Sequence, residues 1–514
     1  MTTPHNDWLD QLVDQINVAR PAGEIIVSSG HSPSGVYHVG TLREIMTANA
    51  IAWALRRAGR KARHVDFVDD FDAFRKVPTV VPESWSQYLG RPLALVPDPF
   101  DCHVSYGQHF LSELQGGLGQ LGCLPDETIS GYENYRSGAL IEQIAASLDH
   151  LDEARTILTE VGGRQLDEHW APVQIMDEQQ NLRTLHFAGW NDATRQVMWR
   201  DKAGQTGSVG LDEGRVKLDW RLDWPARWAK WGVGVEPFGR DHATKGGSYE
   251  TGKVLVERIF GGHAPLPVPY EFINSLGQTK KMSKSSGDVL TPDGALQVMP
   301  PEILRYFVVH PRPSRTLTFD PGVGLYNLID EFTRASMDMT GASVAYARAS
   351  SGQQVIAAVP FNHLVSVYQA AQQKTEEVRQ ILERTGYEEA VRDQWPIIER
   401  ELGFVHAWLN SHAPESVKFV VQSELPHVEL STEQCAALAK LADTIEAEQD
   451  LAAQGIHDAI YTAAEVVGIK ASLVFQAIYR VILNKDSGPK AGWFLASLDR
   501  AWLLERLRAS VASR

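Results

Sequence analysis

The most constraining stretch of this chain is Ser28-Ser29-Gly30-His31-Ser32-Pro33-Ser34-Gly35-Val36-Tyr37-His38-Val39-Gly40-Thr41. A mostly apolar run, Glu24-Ile25-Ile26-Val27, leads into it, and a helix-period segment from Leu42 to Ala58 leaves it. Strand, Gly/Ser/Pro turn and helix N-terminus in succession bring backbone N–H groups and a positive dipole end to one point, which suits phosphate. The helix carries an apolar stripe at Leu42, Ile45, Met46, Ile51, Ala52 and Leu55, the pattern needed to pack on a sheet. A second strand, His64–Val68, runs into the acidic Asp69, Asp70 and Asp72 and then Arg75-Lys76. A βαβ unit with polar chemistry after both strands predicts a doubly wound, Rossmann-like α/β fold.

A chain of 514 residues is too long for one core. The α/β pattern stops after the second strand, turns Pro-rich to about Asp126, becomes helical to Val161, and then gives short strands and polar turns up to Gly214. It resumes near Lys217. The expected architecture is therefore a Rossmann-like catalytic domain in two pieces, 1–80 and 215–300, around an inserted α+β domain at 81–214. Residues 301–355 read as a stem-contact-type linker. Strand signals all but vanish beyond about Pro360, so 356–514 is expected to be an all-α C-terminal domain.

Composition narrows the setting. With 43% hydrophobic and 22% charged residues the chain has ample material for soluble cores, and no apolar run is long enough to span a bilayer. The N-terminus lacks the basic start and apolar stretch of a secretion signal, and three scattered cysteines make no disulfide framework. A cytoplasmic protein without a membrane partner is expected. The net charge of −15 argues against indiscriminate nucleic-acid binding, though a local basic surface can hold a polyanion.

Roughly 240 residues after His38, a second motif follows, Lys281-Met282-Ser283-Lys284-Ser285. The pair, Pro33-Ser34-Gly35-x-x-His38-Val39-Gly40-Thr41 and the Lys281 loop, resembles the signature sequences of class I aminoacyl-tRNA synthetases. That resemblance implies ATP bound by Pro33, Ser34, Gly35, His38, Gly40, Thr41 and residues 281–285, with magnesium beside the nucleotide. His38, Lys281 and Lys284 carry the catalytic expectation. The chemistry agrees, since activation of an amino acid at the α-phosphate must stabilise charge on phosphate oxygens and hold the reactants in line.

Further runs resemble the class I lysyl-tRNA synthetases: Asp69 to Pro78, Pro97 to His103, Lys217 to Trp228, Glu236 to His242 and Tyr270 to Ile273. The resemblance implies L-lysine and tRNA(Lys) as substrates and a helical domain that reads the anticodon. Gly30, Ser32, Trp220, Asp223, Asp241, His242 and Tyr270 are the expected lysine-binding residues, because carboxylates among aromatic walls suit an ammonium side chain. Glutamate enzymes of this superfamily have an Arg where this chain has Ser28. Two alternatives stay open: another class I synthetase, such as the glutamate enzyme, and a synthetase-like RNA-binding protein without catalysis.

Asp98, Cys102, His103 and His109 gather four ligand types within a Pro-rich segment, the pattern of one structural zinc site, with a buried thiol among surface histidines as the plainer alternative. A second, four-cysteine site of the family has no counterpart here. Val173, Ile175 and Met176 are expected to hold that subdomain instead, and Cys123 and Cys435 to be packing residues. The Asp69/Asp70/Asp72 group is expected to form structural ion pairs rather than a metal site. Lys485, Lys490, Arg500, Arg506 and Arg508 form either an RNA-touching surface or a solvated helix face.

Overall fold

The structure, a computed structural model, describes residues 7–167, 170–275, 290–338, 341–349, 356–448 and 451–512. Ile25 and Val27 are buried on strand β1 (Ile25–His31), which occupies the centre of a parallel sheet. The other strands are β2 (Ala62–Val68), β3 (Glu127–Ser130), β9 (Val233–Gly239) and β10 (Leu266–Tyr270), in spatial order β10-β9-β1-β2-β3. All seven residues of β9 are buried, as a strand covered on both faces requires. The helix Leu42–Arg57 buries the expected stripe and packs along β1 and β2.

Strand β3 falls inside the segment expected to be inserted, yet it extends the parallel sheet beside β2. It is a four-residue edge strand with one aliphatic residue, Ile129, so its sequence lacks a strand-length apolar run. After it come three short helices, Gly131–Arg136, Ile141–Asp149 and Leu151–Glu160.

A second, antiparallel sheet follows: β4 (Val173–Ile175), β5 (Leu185–Asn191), β6 (Gln196–Asp201), β7 (Thr206–Gly210) and β8 (Val216–Leu218), in the order β7-β6-β5-β4-β8. Lys217 therefore closes the antiparallel sheet, and the parallel one resumes only at β9. Val173, Ile175 and Met176 are buried in one core with Val197, Val209 and Leu218. Apolar packing thus holds a subdomain that contains no cysteine.

The chain divides into two compact units. One comprises Met1–Leu296, Pro301–Phe319 and Met339–Ser350; the other comprises Gln297–Pro300, Asp320–Asp338 and Ser351–Arg514. Among its described residues the second unit contains helices and no strand, around a core that includes Leu438, Leu441, Ile460, Ile478 and Phe494. No single helix among the described residues is long and apolar enough to cross a membrane.

Candidate active site

The turn after β1 is set by buried hydrogen bonds. Tyr37 Oη lies 2.6 Å from His31 Nδ1, and the other ring nitrogen of His31 lies 2.9 Å from Asp66 Oδ2 on β2. The Ser29 hydroxyl donates to Asp66 Oδ1 at 2.6 Å. With its proton so committed, Ser29 accepts from His64 Nε2 at 2.8 Å, which fixes the His64 tautomer. Burial lowers the His64 pKa to about 4, so the ring is neutral at pH 7. Burial works against the Asp66 carboxylate, but the His31 imidazole beside it holds its pKa below the ordinary value.

Above this network His38 is 6% exposed and precedes a single 3-10 turn, Val39–Thr41. Val39 N–H donates to Leu290 O at 3.0 Å and Thr41 N–H to His38 O at 2.8 Å. A Cβ on Gly40 would stand 2.7 Å from His38 Nδ1, so the imidazole lies where only glycine leaves room. Pro33, Ser34 and Gly35 complete the turn between Ser32 and Tyr37. Lys281, Met282, Ser283, Lys284 and Ser285 lie outside the described residues.

Beside the turn is a cavity of about 70 Å³ whose lining includes Gly30, Glu44, Trp220, Trp224, Glu236 and His242. Trp220 stacks on Trp224 with ring centroids 5.4 Å apart, and His242 packs 5.2 Å from Trp220. Asp69 and Arg227 also line the cavity and pair with each other at 2.6 Å, Arg227 being shared with Asp223.

Asp223, expected to meet substrate, is engaged elsewhere. It pairs with Arg227 one helical turn on and accepts from Tyr135 Oη at 2.5 Å. Asp241 sits on the turn after β9 with its side chain 57% exposed, and neither it nor Ser32 lines the cavity. Asp72 pairs with Lys217 at 3.0 Å, so two of the three acidic residues after β2 form structural ion pairs, while Asp70 accepts from the Ser130 hydroxyl and Tyr132 N–H.

Two carboxylates there have only neutral donors. Glu44 accepts from Gly30 N–H at 2.8 Å and from Tyr270 Oη at 2.5 Å. Glu236 accepts from Trp224 Nε1 at 3.0 Å and from Trp228 Nε1. Burial pushes Glu44 up to about 8, against the pull of its two hydrogen bonds, and raises Glu236 as well. Buried carboxylates without a cation are costly when ionised, and a bound ammonium would relieve that cost. Sequence reasoning gave neither residue a role. The available signals were a glutamate opening the apolar-striped helix and another inside an otherwise uncharged strand.

Asp98, Cys102, His103 and His109 do converge. One ligand atom from each lies within 4.8 Å of all the others. Cys102 Sγ is 3.1 Å from His103 Nδ1 and 3.3 Å from His109 Nδ1, and Asp98 Oδ1 is 3.4 Å from the same His109 nitrogen. Backbone N–H groups of Phe100, Cys102 and His103 outweigh burial and hold Asp98 at about 2. On the far side of the ring, His109 Nε2 meets Glu113 at 3.3 Å, the outer partner that metal-bound histidines keep.

A parallel sheet with a Gly/Ser/Pro turn after its central strand, and a buried histidine at the helix start, defines a nucleotide-binding α/β domain of the synthetase kind. Residues 6–358 match a family model described as tRNA synthetases class I (K), and residues 412–511 match one described as an anticodon binding domain. The chain belongs to the class I tRNA synthetases of the K type. The lysine–tRNA ligase of Archaeoglobus fulgidus is 38% identical over 488 residues, covering 94% of this chain and 96% of that one. That of Thermococcus kodakarensis is 34% identical over 522 residues, covering 98% and 99%. Lysine–tRNA ligase 1 of Methanosarcina acetivorans is 36% identical over 534 residues, covering 98% of each.

Proposed function

We infer that this chain attaches L-lysine to tRNA at the expense of ATP, as a class I lysine–tRNA ligase. The supporting observation is the pocket beside the nucleotide turn, where Glu44 and Glu236 are buried between aromatic walls with only neutral hydrogen-bond donors, while Arg227 in the same lining pairs with Asp69 and Asp223. A lysine ammonium supplies a positive charge there, and a glutamate side chain would add a further carboxylate. Ser28 in place of an arginine agrees with this choice.

In the first step a carboxylate oxygen of lysine attacks the α-phosphorus of ATP. The bond to the bridging oxygen of pyrophosphate breaks, and lysyl-adenylate and pyrophosphate form. The backbone of residues 33–41 and the helix dipole face the phosphates, and His38 donates a hydrogen bond to their oxygens as charge builds. Lys281 and Lys284 are assigned to the departing pyrophosphate. In the second step a ribose hydroxyl at the 3′ end of tRNA attacks the adenylate carbonyl and AMP leaves. Glu44 and Tyr270 hold the ammonium away from both reacting centres, so the same contacts serve both steps.

Magnesium bound with ATP would neutralise phosphate charge. The donor set of Asp98, Cys102, His103 and His109 fits one structural zinc, which would staple the Pro-rich turn to the helix Tyr106–Gln120. tRNA(Lys) is the assigned nucleic-acid partner, supported by the anticodon-type domain at 412–511. A cytoplasmic setting goes with this reading, since all three cysteines are free thiols.

The test is ATP–pyrophosphate exchange and tRNA charging with each amino acid, run with and without tRNA. Exchange and charging driven by lysine are expected. Activity with glutamate and none with lysine overturns the substrate, and tRNA binding without turnover overturns the enzyme.

A further inference from the structure

The first turn of the helix Tyr106–Gln120 touches both the ligand cluster and the turn after β1. It carries His109, whose Nδ1 stands 3.3 Å from Cys102 Sγ and 3.4 Å from Asp98 Oδ1. It begins with Tyr106, which is fully buried and whose Oη donates to Ser34 O at 2.9 Å. The helix backbone comes as near to the neighbouring residue of that turn, since a Cβ on Gly107 would stand 3.5 Å from Pro33 Cγ. Tyr106 has little freedom of its own. Its N–H donates to Val96 O at 2.8 Å, which closes the ligand-bearing loop 97–105 at its base. Phe74 and Phe110 pack on its ring, with centroids 5.0 and 4.9 Å away. Within the loop, Asp98 accepts from the N–H groups of Phe100, Cys102 and His103, and so sets Cys102 and His103 beside His109. A metal held there would tie the loop to the first turn of the helix, and the Tyr106 hydroxyl with it.

A buried tyrosine needs a partner for its hydroxyl, and any carbonyl would serve. The carbonyl that Tyr106 takes orients the turn. A peptide is planar and trans, so holding Ser34 C=O toward Tyr106 aims the Gly35 N–H the opposite way. Gly35 is buried, and its N–H has no acceptor among the described residues. A buried donor without an acceptor is costly, and a phosphate oxygen supplies one. Without the Tyr106 hydroxyl, the Ser34–Gly35 peptide loses the contact that fixes its direction, and the donor turns away.

We propose that Tyr106 is a positioning residue for nucleotide binding: its hydroxyl pins the Ser34 carbonyl so that Gly35 N–H meets a phosphate oxygen of ATP, and the cluster of Asp98, Cys102, His103 and His109 holds Tyr106 in place. The assignment deepens the reading of this turn as the nucleotide site and rests on it.

The test uses the full chain and equilibrium binding of ATP in the absence of amino acid, measured by calorimetry beside lysine binding and thermal melting. Tyr106→Phe keeps the ring and loses only the donor. It is expected to weaken ATP roughly fivefold, on the scale of one hydrogen bond, and to leave lysine affinity unchanged. Removing the metal from the folded, unaltered protein with a chelator should weaken ATP as well. It should weaken ATP no further in Tyr106→Phe, since both changes act through one contact. Zinc added back should restore the affinity of the unaltered protein alone.

Unchanged ATP affinity in folded Tyr106→Phe overturns the proposal. So does an equal loss for ATP and lysine, which marks a general loosening of the sheet. A chelator that weakens ATP as much in Tyr106→Phe as in the unaltered protein overturns the link from the cluster. If Tyr106→Phe does not fold, the metal-free unaltered protein carries the comparison, and ATP affinity untouched by metal removal overturns the proposal. Failure of the unaltered protein to bind ATP at all would overturn the nucleotide reading itself, whereas ATP binding indifferent to Tyr106 and to the metal overturns this proposal alone.

Discussion

Glu44 sits where two demands meet. It terminates hydrogen bonds from Tyr270 and Gly30, and it faces the cavity assigned to lysine. In the lysine-free protein its pKa of about 8 keeps it largely protonated at neutral pH, with burial the main cause and Glu236 and Asp66 adding repulsion. An incoming ammonium needs the carboxylate, so binding below pH 8 expels a proton. The KM for lysine is therefore expected to fall as pH rises from 6 to 8, by at most about tenfold per unit, and to level off above 8. Calorimetry in buffers of different ionisation enthalpy should report the released proton. Glu44→Gln should weaken lysine by roughly 100-fold and flatten the profile, on the scale of a lost charge-assisted contact. A steep profile that survives in Glu44→Gln would assign the proton to another group. The sequence displayed two of the aromatic walls, since Trp220 and His242 lie in distinctive runs, whereas Tyr270 is outside the lining and reaches it through Glu44. The charge that the sequence placed on Asp223 is met within the protein by Arg227 and Tyr135. Arg227, four residues further along the same helix, is placed to take that carboxylate, and the i,i+4 spacing was the available warning.

Among the elements, the turn after β1 is held from below by side chains of two strands and from within by Tyr37. Removing the Tyr37 hydroxyl leaves a buried ring nitrogen of His31 without that hydrogen-bond partner, which costs about 1–3 kcal/mol. Tyr37→Phe should lower the denaturation midpoint accordingly. Because the same turn carries His38, it should also raise the KM for ATP more than that for lysine; equal effects would mark Tyr37 as structural only. The ligand cluster makes a second case. Metal analysis is expected to find about one zinc per chain, and a chelator or Cys102→Ser to lower the melting temperature while leaving the far-UV spectrum of the helices largely intact. Less than about half an equivalent counts against the site. The cluster was legible because four ligand types lie close in sequence, whereas β3 was not, because a short edge strand has too few apolar residues to announce itself. The parallel core was legible for the opposite reason: β1 and the helix after it carry the two periodicities of a packed βα unit.

At the scale of the whole molecule, each unit has its own apolar core, one built around the sheets and one purely helical. The sequence showed this division as a loss of strand signals near Pro360, while the structure gives the second unit two earlier segments as well, Gln297–Pro300 and Asp320–Asp338, interleaved with segments of the first. No local pattern marks such an exchange, since contacts between residues far apart in sequence decide it. Two cores of this size are expected to unfold as two calorimetric transitions rather than one. The residues assigned to lysine and ATP all belong to the first unit, so these ligands should raise one transition by mass action, by about 2.7 kcal/mol at a hundredfold excess over Kd, and leave the other in place. A hairpin RNA seated in the helical unit should do the converse. Calorimetric scans with each ligand alone and with both decide whether the units respond independently. A single transition raised equally by lysine and by the hairpin would instead show that amino acid and RNA are coupled through the fold, and the two binding sites would then have to be treated as one thermodynamic system.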